Sequence, residues 1–161
     1  FIGPRRHSIF APPCKKASLQ NDYASANKLN KEITSHGLSK QTWMINEKLK
    51  ETQKLIEKGY LLNEGHPECS FRELKGDFLK FGKSGLLGFF ERLNLVTKLG
   101  FDPISLKKQL SHDIKAKPDD LLDSLILCWS ASRHIEKKGI YLGLNKNSKK
   151  HNDKNKSLIL V

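Results

Sequence analysis

The chain has no apolar run approaching the ~20 residues that cross a bilayer as a helix, which excludes an integral helical membrane protein. Cysteine is scarce. Cys14, Cys69 and Cys128 are odd in number, lie far apart and form no CxxC pair. Neither a disulfide framework nor a zinc ribbon is therefore encoded, and reduced thiols in a cytoplasmic setting are expected. The opening Phe1-Ile2-Gly3-Pro4-Arg5-Arg6 has basic residues but no apolar stretch behind them, so it is not a secretory signal. It also lacks an initiator Met, which leads us to expect a chain that is processed, cut, or the tail of a longer reading frame. No internal repeat is visible. Acid is missing from the start of the chain, where Asp22 is the first carboxylate.

What is present is basic charge. The 161 residues carry 29 Lys and Arg against 17 Asp and Glu, a formal charge of +12, with 37% hydrophobic residues. The length suits one domain, and the hydrophobic content is enough for one core, which argues against full disorder. The positive excess favours polyanionic partners, nucleic acid first, through a sequence-independent electrostatic attraction. A solvated basic surface is the plainer alternative.

Helical patterns dominate. Asp22 sits where a cap would sit for a helix over Tyr23 to His36, with Gly37 as its left-handed stop. Ser39 caps a longer helix from Lys40 to Lys58, whose apolar positions are Trp43, Ile45, Leu49, Leu55 and Ile56, and Gly59 ends it. Lys50, Lys54 and Lys58 form one basic stripe on it, read as a solvated face with Glu51 pairing rather than a phosphate rail. Tyr60-Leu61-Leu62-Asn63-Glu64 reads as a short buried strand between Gly59 and Gly65. Pro67 suits the first turn of a helix from about Glu68 to Lys75, closed by Gly76. A further helix is predicted from Lys83 to Lys98, with Leu86, Phe89, Phe90, Leu93 and Val96 inward and Gly100 as its stop. Ser105 to Leu110 is expected to hold a short helical turn. The last helix is predicted from Asp120 to Lys137, capped by Asp119. One domain is expected over residues 1 to 144, with a basic, disordered tail from 145 to 161. A lone strand needs partners, so its sheet is expected to be completed by residues that precede this chain.

Two clusters of acids carry potential chemistry. In the last helix Asp120 and Asp123, spaced i and i+3, share a side opposite the stripe Leu122, Leu125, Ile126 and Trp129. A cap and a dipole-favoured acid would explain them structurally. Leu127 and Cys128, however, continue their side as apolar, which places Asp123 at the mouth of a core. The second cluster is Asn63-Glu64-Gly65-His66-Pro67-Glu68, with Glu64 at a strand's C-terminal end, facing the crevice where open α/β sheets bind ligands. Its structural alternatives are a solvated strand-end acid and a hydrogen-bonding turn histidine. Acids from a strand end and a helix start suit divalent cations that bridge scissile phosphates.

The run Asn63-Glu64-Gly65-His66-Pro67-Glu68-Cys69-Ser70-Phe71 resembles the Glu-x-His-Pro-Glu-x-x-Phe signature of a predicted nuclease family, domain of unknown function 429. Asp22-Tyr23-Ala24 with Ala26-Asn27, Gly37-Leu38-Ser39-Lys40-Gln41 with Trp43-Met44-Ile45, Lys83-Ser84-Gly85 with Glu91-Arg92, and Asp119-Asp120-Leu121-Leu122-Asp123-Ser124-Leu125 follow in the family's order. The likeness spans Arg5 to Gly143. It implies an α/β, helix-rich, incomplete ribonuclease H-like fold with a truncated central sheet flanked by helices. Glu64 resembles the strand acid and Asp120 and Asp123 the helix pair of a Mg²⁺ or Mn²⁺ site, with His66, Glu68 and Lys83 as possible support.

Family members begin with a strand bearing Asp-Gly, which this chain lacks. Ser124 also stands where the family usually has a small Ala. The expected function is that of a C-terminal portion of a metal-dependent nuclease-like protein. The intact protein would hydrolyse phosphodiesters, with Glu64, Asp120 and Asp123 as metal ligands, while this chain would be inactive. The alternative is a non-catalytic nucleic-acid-binding or interaction module.

Overall fold

The computed structural model describes residues 1–4, 10–102, 104–105, 108, 116–142 and 159–161. The chain divides into two compact units, Phe1–Arg6 with Asn63–Val161, and His7–Leu62. It is helix-rich α/β with a small mixed sheet.

In the unit His7–Leu62 the helices are α1 (Lys15–Ser18), α2 (Tyr23–Thr34), α3 (Lys40–Met44) and α4 (Asn46–Glu57). Asp22 caps α2, accepting from the Ser25 backbone N–H, and Ser39 caps α3, accepting from Thr42. The left-handed stop of α2 is Ser35 at φ 62°, two residues before Gly37. The expected single helix from Lys40 to Lys58 breaks at Ile45.

Polar groups hold this unit together. Buried Asn30 accepts the Cys14 N–H at 2.9 Å and donates to the His36 carbonyl at 2.9 Å. Asn27 Oδ1 accepts the Leu38 N–H, and the Tyr23 hydroxyl donates to the Leu38 carbonyl. Ile45, Leu55 and Ile56, three of the apolar positions of the expected helix, are exposed. Lys50 pairs with Glu47 at 2.8 Å rather than with Glu51. Tyr60 to Leu62 form no buried strand, and Leu61 is 97% exposed.

The other unit holds β1 (Glu64–Gly65), α5 (Pro67–Lys75), α6 (Leu86–Thr97), α7 (Pro118–Ile135), β2 (Tyr141–Leu142) and β3 (Ile159–Leu160). The sheet order is β1-β3-β2. β3 runs parallel to β1, with Glu64 opposite Ile159, and antiparallel to β2, with Tyr141 opposite Leu160. The last three residues, which the sequence reading leaves in the tail, are thus part of the sheet. Residues 145 to 158 of that tail and most of the turn from Ser105 to Leu110 lie outside the described residues.

Pro67 opens α5 at a position where its missing N–H costs nothing, and Gly76 closes it at φ 75°. α6 starts at Leu86 rather than Lys83, and Leu86 and Phe90 of its expected inner face are exposed. Lys117, not Asp119, is the N-cap of α7. The core joins Phe71, Leu79, Leu95, Val96, Leu122 and Ile126, with Phe89, Leu93, Leu125 and Trp129 packed against it. The buried Ser130 hydroxyl donates to Ser70 at 2.8 Å, linking α7 to α5.

An ion pair lies beside that core. Arg92, 1% exposed, donates through Nη2 to Glu68 at 2.5 Å and through Nη1 to the Gly88 and Phe81 carbonyls. Its neighbour Glu91 accepts the backbone N–H groups of Lys80 and Phe81 and the Lys75 ammonium. Two consecutive side chains on α6 therefore fix the segment from Lys80 to Phe81. Gly88 permits this: a Cβ there would lie 1.8 Å from the Gly82 carbonyl oxygen.

Gly88→Ala is expected to destabilise the unit by about 1–3 kcal/mol or more through the forced backbone shift. Glu68→Met and Arg92→Met should each cost about 3–5 kcal/mol, because each strands a buried partner. The double variant Glu68→Met/Arg92→Met should be less destabilised than either single one. Urea midpoints of the four variants check this, and strict additivity of the pair would contradict it.

Candidate functional site

The candidate residues lie in the unit containing α5, α6 and α7. The clamp formed by Glu91 and Arg92 ends just before Lys83, and this brings a lysine to the start of α7. The Lys83 ammonium lies 2.8 Å from Asp123 and 3.5 Å from Asp119. Asp119 and Asp123 are one helical turn apart, so their carboxylates lie on the same side of α7. Both are partly buried, at 28% and 18% side-chain exposure, whereas Lys83 is 43% exposed.

Asp120 points elsewhere. It is exposed in the first turn of α7, where the helix dipole favours an acid, and its backbone carbonyl accepts the Ser124 hydroxyl. The sequence reading paired Asp120 with Asp123, but the i, i+4 partner Asp119 is the one that shares Lys83. The expected all-round burial of α7 is not seen, since Cys128 is exposed and only Leu122, Ile126 and Ser130 are buried along the helix.

Glu64 opens β1 and is exposed. His66 is the N-cap residue of α5, and its backbone carbonyl rather than its ring serves the first turn, accepting from Cys69 and Ser70. Glu68 is committed to Arg92 and is buried. The His-Pro-Glu part of the signature is thus explained by helix initiation and a buried ion pair. Among the described residues no group of three or more His, Cys, Asp or Glu is arranged to hold a metal ion. Glu64, Asp120 and Asp123 are all described, so they do not form such a group. The positive charge beside Asp119 and Asp123 comes from Lys83.

The Lys83 amine is held above its ordinary value, first by its hydrogen bond to Asp123 and then by the charges of Asp123 and Asp119, which outweigh partial burial. Glu91 experiences the opposite balance. Burial pushes its carboxyl up, but the Lys80 and Phe81 N–H groups and the Lys75 ammonium hold it below the usual range. Sequence reasoning passed over Asp119 as a cap and took Glu91-Arg92 only as a matching dipeptide. The available signal for Asp119 was its four-residue spacing from Asp123.

The family described as protein of unknown function (DUF429) matches residues 1–146 of the chain. No curated protein and no solved structure matches it. No helix among the described residues is long and apolar enough to cross a membrane.

A raised amine pKa means that Lys83 stabilises the fold while it is protonated in both states. That contribution is lost as pH rises through and beyond 10.5, the ordinary value. Lys83→Met should cost up to about 1 kcal/mol at neutral pH, since the pair is partly solvated. The difference in stability between wild type and Lys83→Met should then shrink above that pH. Denaturant midpoints across this range measure it, and a difference independent of pH would contradict the assignment.

Proposed function

The chain belongs to the DUF429 family, and we propose that its role is to bind nucleic acid without cleaving it. The observation that carries this reading is the Lys83 ammonium beside Asp119 and Asp123. It balances the acids that a nuclease would otherwise use for a metal. The charge of +12 supplies the attraction to phosphates. Hydrolysis of phosphodiesters with Mg²⁺ or Mn²⁺, on a ribonuclease H-like fold, is the second reading.

Binding of mixed-sequence nucleic acid, followed by fluorescence anisotropy, should weaken steeply as salt rises. Replacing Lys146, Lys149, Lys150, Lys154 and Lys156 with Gln should reduce the slope of log affinity against log salt. For duplex DNA the slope falls by about 0.9 for each phosphate that a lysine no longer neutralises. In Mn²⁺ the chain should show no more cleavage than Asp120→Asn/Asp123→Asn. Binding that is absent at low salt would overturn the reading, as would robust cleavage abolished by the double substitution.

A further inference from the structure

β3 is an unusual central strand. It is two residues long, it lies between strands of opposite direction, and both of its neighbours are themselves two residues long. Neither β1 nor β2 pairs with the other, so each depends on β3 for its inner backbone partners. The pairing continues one residue further, where the Val161 and Ile140 backbones exchange hydrogen bonds of 2.8 and 2.9 Å.

The side chains of this segment are embedded as well. Val161 is fully buried and Leu160 is 5% exposed. Val161 joins Ile2 and Cys69 in a small apolar cluster, separate from the main core, that Leu142 and Ile159 cover. Space has been cleared for the segment. A Cβ on Gly139 would lie 2.7 Å from a Leu160 methyl, so a larger residue there would press on the strand. The sequence leading to it is polar and lysine-rich, and it turns apolar only at Leu158-Ile159-Leu160-Val161. An isolated apolar segment at the end of a polar stretch, seated between two edges, has the form of a strand-addition ligand.

We propose that the interval between β1 and β2 is a binding site for an extended apolar peptide, and that residues 159–161 are its occupant, a detachable strand that seals Cys69. Backbone bonds on both sides supply affinity, and packing against Ile2 and Cys69 selects a branched aliphatic side chain at the Val161 position. Attachment through the same chain raises the local concentration of the strand, and so keeps the site filled. This inference does not rest on nucleic-acid binding and would survive its failure.

Cys69 provides the readout, since it is fully buried and burial pushes its thiol up to about 11. In a Cys14→Ser/Cys128→Ser background, alkylation of Cys69 should be slow. Deleting residues 158–161 should accelerate it by about tenfold or more, as expected when a local rather than a global opening controls access. An acetylated Ser-Leu-Ile-Leu-Val peptide added in trans should restore protection saturably, and a peptide with Asp at the Leu160 and Val161 positions should not. With Trp43 replaced by Phe, Trp129 fluorescence reports the α5–α6–α7 core separately and should be unchanged. Should the deletion fail to fold, a protease site placed between Lys149 and Lys154 of the full chain, cut after folding, gives the second measurement. The released strand should then dissociate on dilution and expose Cys69. Cys69 reactivity unchanged by both deletion and cleavage, or protection that the peptide cannot restore, would overturn the proposal.

Discussion

The guanidinium of Arg92 is the group on which the unit around α5, α6 and α7 depends. A charge with 1% exposure needs partners nearby, and three different pieces of chain supply them to its two Nη atoms, while its Nε is left without one. Glu68 comes from α5, the Gly88 carbonyl from one turn earlier in α6, and the Phe81 carbonyl from the connection between them. The Phe71 ring, 5.6 Å away, adds a favourable face. The apolar core would tolerate several arrangements of three helices. A directional, charged donor set narrows these to the one in which Phe81 faces α6, and that fixes where the next residues can go.

Lys83 comes two residues later. Its ammonium reaches the two α7 carboxylates because the preceding segment is tied down by Glu91 and Arg92. An ammonium and a divalent cation compete for the same oxygens, but they differ in what they ask for. Lysine accepts a loose, partly hydrated pair, whereas Mg²⁺ asks for near-octahedral convergence. Two acids one helical turn apart meet the first demand, and Lys83 takes it up.

The caps Asp22 and Ser39, the proline at the head of α5 and the glycine at its end were legible because each is decided by a local backbone requirement. The α7 stripe of Leu122 and Ile126 was legible for the same reason, since periodicity alone sets a helix face. The break at Ile45 and the exposure of Leu61, Leu86 and Phe90 were not, because apolar character says nothing about whether a partner surface exists. Within the candidate site the acids were found, but Glu68 was assigned no partner and Asp119 was read as a cap. Both depend on a cation from another element, Arg92 for one and Lys83 for the other. Such pairings carry no local signature.

The pairing of β3 with β1 joins positions roughly 95 residues apart. During synthesis at ~5–20 residues per second, β1 would wait roughly 5–20 s for its partner to emerge. For that interval Glu64 and Gly65 would present open backbone groups next to the exposed side chains of Tyr60 to Leu62. The nascent chain therefore passes through a period in which the backbone groups of β1 have no β3 to pair with. The order in which residues leave the ribosome, rather than the stability of the finished sheet, sets how long a chaperone would need to hold it.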